Sequence, residues 1–145
     1  MLAMADAEVH SGSKNAHTDS EQQVREDLAA AYRMAALNGW DDTVYTHLSA
    51  SVPGEPGHYL INPFGATFDE ITASSLVKVN VAGEVVDGSG ARVNPSGFAI
   101  HGAVHAAPPA VECLIHLPTP WGVALSNLAG GLHPTSLWAM RLPGR

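Results

Sequence analysis

The stretch TVYTHLSASV, residues 43–52, alternates Val44, Thr46, Leu48 and Ala50 with Tyr45, His47, Ser49 and Ser51. Successive side chains on a strand point to opposite faces, so this period of two predicts a strand with one largely apolar face and one polar face. GHYLINPFG, residues 57–65, reads as a second strand closed by a Pro-Gly turn, and Pro53-Gly54 between the two is a hairpin connection. The preceding segment reads as a helix, because Val24, Leu28, Ala31, Ala35 and Ala36 recur at helical spacing. Ser20 is its expected N-cap and Asn38-Gly39 its stop.

Residues 1–20 are small, polar and aperiodic, and are expected to form a disordered lead-in to a domain over residues 21–145. His10 and His17 fall in that lead-in, outside any patterned element. Downstream of the hairpin, DEITASSLVKVN predicts a helical piece led by Thr72 or Ser74 and then a strand, VKVNVAG. Asp87-Gly88 predicts a further hairpin turn. NPSGFAIHGAVHAA, from Asn94, predicts a helix ended by Pro108-Pro109. AVECLIHL follows as a strand that reads as buried, and PTPWGVALSNLAGG as a loop with a short helix. The order of helix, strands, helix, strand and helix predicts an α/β fold with helices packed on a mainly antiparallel sheet.

Composition narrows the functional classes. The chain has 145 residues, enough for one domain with a sizeable core. It is 46% hydrophobic and only 14% charged, so part of its surface is expected to be covered in a homo-oligomer. Fourteen acids against seven bases give a net charge of −7, and no basic run interleaves with aromatics, which disfavours nucleic acid and anionic membranes as partners. No segment approaches the roughly 18 apolar residues of a membrane span. A single cysteine, Cys113, excludes an internal disulfide framework, and a cytoplasmic location is the expectation.

His101 and His105 lie four apart on one predicted helix, so their imidazoles share a face, as two helical zinc ligands would. The same spacing suits two partly buried, hydrogen-bonded histidines. His116 lies on a predicted strand where a second ligand would stand two residues on, but that position is Pro118, which cannot coordinate. His116 alone reads as a core histidine and Cys113 as a buried, inert thiol. Asn94 to Gly97 opens a helix and could offer backbone N–H groups to an anion, although capping by Asn94 or Ser96 explains the same residues. No Gly-Lys-Ser/Thr phosphate loop occurs, and GSGAR at 88–92 reads as a hairpin turn.

Taken together, REDLAAAYRMAALNGWDDTVYTHLSASVPG, HYLINPFGATFDEITASSLVKVN, NPSGFAIHGAVHAAPPAVECLIHLPTPWGVAL and WAMRLPGR resemble the class II aldolase/adducin N-terminal domain family, with the adducin-like branch the closer match. The resemblance covers residues 25–145. It implies a three-layer α/β/α sandwich around an antiparallel sheet, assembled as an oligomer. In the catalytic branch three histidines hold a divalent metal such as zinc, which polarises a carbonyl and stabilises an enediolate, while a glutamate acts as base. The resemblance puts the first ligand of a His-x-His pair on His116 and the second on Pro118. It puts the glutamate on Gly97, leaving no catalytic residue there, and the third histidine beyond Arg145, together with the last strands and helices of the fold. Substrate-contacting turns fall on Thr46 to Ser49 and on Asn62 to Gly65, where Phe64 replaces a small hydroxyl; Ser96 and Gly65 are the substrate-binding candidates.

These departures imply a family member with a degenerate metal site, no cofactor and no competent aldol chemistry. Two alternatives stay open. One is a zinc- or other metal-dependent aldolase or epimerase, a lyase acting on a small sugar or hydroxy-carbonyl compound, with substitute ligands drawn from His101, His105 or His133 or with a site completed from a neighbouring subunit. The other is an adducin-like module with a cytoskeletal partner, by analogy alone.

Overall fold

The structure is a computed structural model and describes residues 14–108 and 110–141. Along the chain it forms α1 (Lys14–Leu37), β1 (His47–Ser51), β2 (His58–Ile61), a 3-10 turn (Phe68–Glu70), β3 (Val77–Asn80), α2 (Pro95–Ala106), β4 (Cys113–His116), α3 (Pro120–Ser126) and α4 (Leu137–Met140). The four strands make an antiparallel sheet in the order β3-β2-β1-β4. The Pro53-Gly54 connection joins β1 and β2 as expected, with Val52 N–H donating to the His58 carbonyl at 3.0 Å. β4 reaches the far side of β1 only after the α2 excursion, and pairs His47 with His116 and Ser49 with Leu114.

The alternation in residues 43–52 divides the molecule into layers. Leu48, Ala50 and Val52 join Leu28, Ala29, Tyr32 and Ala35 of α1 in one buried cluster, which Phe68, Ile71 and Leu76 complete. Tyr32 anchors that layer: its ring meets Phe68 edge-on at 4.6 Å. Its hydroxyl accepts from the backbone N–H groups of Leu48 (2.9 Å) and Asn62 (3.2 Å), and lies against the Leu48 carbonyl and the Asn62 side-chain oxygen. Burial pushes the Tyr32 phenol well above its ordinary pKa. The opposite sheet face carries Tyr59, Ile61, Val77 and Val79 together with His47, Ser49 and Ser51, and α2 lies over it. The α/β/α layering expected from the sequence is therefore the observed one.

Several local expectations change. α1 begins at Lys14, so residues 14–20 are helical and Ser20 is not a cap; residues 1–13 lie outside the described residues. A long helix needs no break at Ser20, because nothing in that segment forbids helical backbone. The helical piece expected after Thr72 or Ser74 instead precedes them at Phe68–Glu70, where Thr67 and Glu70 form a reciprocal capping box. Thr72 and Ser75 close a turn. The return after β3 pairs only as an isolated bridge, Val79 with Val85. Most important, β4 is not buried: it is the sheet edge, with Cys113 and His116 exposed and Ile115 55% exposed. An apolar run of strand length cannot distinguish a central strand from an edge, because burial is set by neighbours the run does not encode.

Candidate functional site

The polar face of β1 and one face of α2 build the site. α2 starts at Asn94, whose side-chain oxygen accepts the Ser96 N–H at 3.1 Å and whose Nδ2 donates to the Val44 carbonyl at 3.0 Å, fixing the helix against the strand. The buried residues of α2 are Gly97, His101 and Gly102, and the half-buried His105 continues the same face. Two glycines on that face let the helix backbone approach the sheet. A Cβ at Gly102 would stand 3.1 Å from the Val81 carbonyl oxygen, and one at Gly97 would stand 2.7–2.9 Å from ring atoms of His47.

Four histidines gather in this space. His47 is 4% exposed and His101 1% exposed. The His47 ring lies 5.9 Å from His101, edge-on, and 6.4 Å from His116, nearly parallel. His105 stacks on Tyr59 at 4.6 Å. Between the two helical histidines stands Ser49, whose Oγ is 2.6 Å from His101 Nδ1 and 2.8 Å from His105 Nε2.

The partners fix the proton positions. His105 Nδ1 faces the Val111 carbonyl at 3.1 Å, which only accepts, so Nδ1 carries the proton and Nε2 accepts. Ser51 Oγ, 3.1 Å from the same nitrogen, donates its own proton to Val111 at 2.7 Å. Ser49 then donates to His105 Nε2 and takes the Nδ1–H of His101. His101 Nε2 is left as an unprotonated acceptor. That atom and both ring nitrogens of His47 are buried without a hydrogen-bond partner.

Burial keeps these rings neutral. It lowers the His101 pKa to about 4, with the neighbouring His47, His105 and His116 adding repulsion. Burial also lowers His47, again with His116 contributing, and lowers His105 against the opposing pull of the Val111 carbonyl. On the neighbouring strand β2, against His105, burial pushes the Tyr59 phenol up to about 12.

Neutral imidazoles with free lone pairs have the right chemistry for a divalent ion, and the Nδ1–H of His101 is held by the Ser49 hydroxyl, where a metal-bound histidine commonly has a carboxylate, a carbonyl or a water. The arrangement does not fit one, however. Among the described residues no three His, Cys, Asp or Glu side chains converge as a ligand set, and no carboxylate is hydrogen-bonded to any of these rings to offset the ion's charge.

Of the residues singled out from sequence, His101 and His105 share Ser49, whereas His116 meets the group through the His47 ring at 6.4 Å. Gly97 sits at the centre, against His47. Ser96 is exposed and bonded to Asn94, and Gly65 lies in an exposed turn with φ of 93°. His133 is exposed beyond α3, against Gly130. The reading of His116 as a core histidine and of Cys113 as a buried thiol is overturned by the edge position of β4. Sequence reasoning did not single out His47, Ser49, Ser51 or Tyr59 as a set. The available signal was the polar i, i+2, i+4 row His47, Ser49, Ser51 on a strand whose other row is buried.

Comparison with known proteins agrees with this layout. Residues 26–144 match the Class II Aldolase and Adducin N-terminal domain. A Caulobacter vibrioides protein named for the class 2 aldolases is 52% identical over 117 residues, 81% of this chain and 46% of the relative. Mouse alpha-adducin is 45% identical over 129 residues, 88% of this chain and 18% of the relative. The crystal structure of an aldolase II superfamily protein from Pseudomonas syringae superposes with a TM-score of 0.82 at 49% identity, covering 87% of this chain and 51% of that one. The chain thus spans about half the length, or less, of the relatives it matches. With a match over nearly its whole length, the chain belongs to the class II aldolase and adducin N-terminal domain family.

Proposed function

We propose that this chain is a class II aldolase/adducin-like domain that does not carry out metal-dependent aldol chemistry. The observation that carries the reading is the His47 ring seated over Gly97, in the position the family resemblance assigns to the catalytic glutamate. Pro118, where the resemblance expects a second histidine, supports it further. A divalent ion in such a site polarises the substrate carbonyl; here the donor set offers separate imidazoles and hydroxyls tied to one another. The test is metal stoichiometry. Purified chain equilibrated with zinc or manganese and then desalted is expected to retain well under one equivalent, and tight equimolar metal would sink the reading.

The unpartnered nitrogens of His47 and His101 favour one second reading, a metal-dependent aldolase or epimerase with substitute ligands. In it Ser96 and Gly65 would touch a small sugar or hydroxy-carbonyl substrate, and the same equimolar metal would support it. The identity to alpha-adducin motivates an adducin-like cytoskeletal role, tested by co-sedimentation with spectrin and actin. A homo-oligomer in the cytoplasm completes the proposal. Its support is the exposed apolar surface at Ile115 and Trp121 for the oligomer, and the single cysteine, a free thiol, for the compartment. Light scattering and cell fractionation test those two points.

A further inference from the structure

We infer that His47 determines what this site can hold, because its imidazole lies where a Cβ on residue 97 would stand and so bars any side chain, a carboxylate included, from that position.

The geometry is direct. A Cβ built on Gly97 would lie 2.7 Å from His47 Nε2, 2.8 Å from Cδ2 and 2.9 Å from Cε1, all nearer than non-bonded carbon atoms come. Three atoms of one ring are in conflict, so a small rotation does not relieve the overlap. The ring is enclosed: it is 4% exposed, with His101 edge-on at 5.9 Å on one side and His116 nearly parallel at 6.4 Å on another. Its backbone is held in β1, paired with His116 of β4.

Gly97 itself needs no unusual backbone. It lies within α2 and is not among the glycines of positive φ, so its conformation is one that any residue adopts. In a helix alanine is favoured over glycine. The absence of a side chain at 97 is therefore explained by the neighbouring ring and not by the chain's own path. Residues 47 and 97 form a coupled pair from segments 50 positions apart, and a side chain at 97 requires a change at 47.

This rests on the proposed function in one respect: the resemblance assigns position 97 to a carboxylate. The loss of that group is then not a single substitution that a reversal would repair. Gly97→Glu by itself places its Cβ inside the imidazole. The site as it stands presents His47 and the bare Nε2 of His101, both uncharged, where a carboxylate would bring a negative charge.

Two measurements on the full 145-residue chain test the inference. The first is a thermal-denaturation cycle of Gly97→Ala, His47→Ala and the double variant. Gly97→Ala is expected to lower the midpoint by roughly 3–10 °C, the cost of overpacking a closed site. In the His47→Ala background the same change is expected to raise it, since only helix preference remains. If Gly97→Ala does not fold, recovery of a cooperative transition in the double variant counts as the same sign reversal. Equal effects of Gly97→Ala in both backgrounds overturn the inference.

The second uses zinc alone as the probe, by titration calorimetry, in a Pro118→His background that supplies the second strand imidazole. Gly97→Glu with His47 retained is expected to bind zinc at least tenfold more weakly than Gly97→Glu with His47→Ala. Equal affinities, including no binding by either, overturn the inference. Metal content of the unsubstituted chain bears on the proposed function only, so the two ideas fail separately.

Discussion

The hydroxyl of Ser49 lies 2.6 Å from His101 Nδ1 and 2.8 Å from His105 Nε2, so one strand serine holds both helical histidines at once. It ties the middle of α2 to the sheet, with Tyr59 of β2 adding a longer bond to the Phe98 carbonyl at 3.5 Å, while the buried residues of the helix are Gly97, His101 and Gly102, which contribute little apolar surface.

Ser49→Ala removes the donor to His105 and the acceptor of His101 while leaving both rings in place. Each buried partner left unsatisfied costs about 1–3 kcal/mol. The variant is expected to lose about 2–4 kcal/mol of stability in urea or thermal denaturation. A loss under about 0.5 kcal/mol, the range of ordinary surface substitutions, would show that the bridge is not structural.

Stability is expected to fall with pH across the interval from about 6.5 down to about 4. The His101 pKa is about 4 in the folded chain against 6.5 for an unperturbed imidazole, and those of His47 and His105 are shifted the same way. The unfolded chain therefore takes up protons before the folded chain does. The full stability is present above the unfolded value and is lost as pH falls through the window, by on the order of 3 kcal/mol for His101. Urea midpoints at a series of pH values measure the slope, and His101→Gln should flatten it. A stability maximum near pH 5 would contradict the sign.

On the other side of the sheet, Tyr32→Phe deletes the hydroxyl that meets Leu48 and Asn62. The ring and its contact with Phe68 remain, so the loss is one of hydrogen bonding, with an expected cost of about 1–3 kcal/mol. Tyr45→Phe, at an exposed position, is the control and should be near neutral.

Asn94→Ala tests how α2 is started. The side chain caps Ser96 N–H and donates to the Val44 carbonyl, so its removal is expected to cost at least the ~1 kcal/mol typical of a lost cap. Asn94→Asp keeps the cap but not the donor, and an intermediate loss is the expected result. Equal losses for the two variants would mean that only the contact with Val44 matters.

Cys113 provides a check on the edge position of β4. Its side chain is exposed, and a thiol reagent is expected to label it fully under native conditions without prior unfolding. Labelling only in denaturant would restore the buried strand that the residue types suggest.

What the sequence determined by itself was the layer scheme and its polarity. The alternation of Leu48 and Ala50 with His47, Ser49 and Ser51 fixed which row of β1 would meet α1 and which would not, because a strand's period is invariant. The four-residue spacing of His101 and His105 fixed their common face in the same way. The family resemblance added the meaning of positions 97, 116 and 118. Tertiary structure decided the rest, since it depends on segments distant along the chain. Whether β4 lay inside or at the edge depended on what pairs beyond it, and its apolar residues are compatible with both. The fit of His47 against Gly97 depended on how closely α2 approaches β1, a distance that no local pattern specifies. The sequence displayed a missing carboxylate; the fold placed an imidazole in its space.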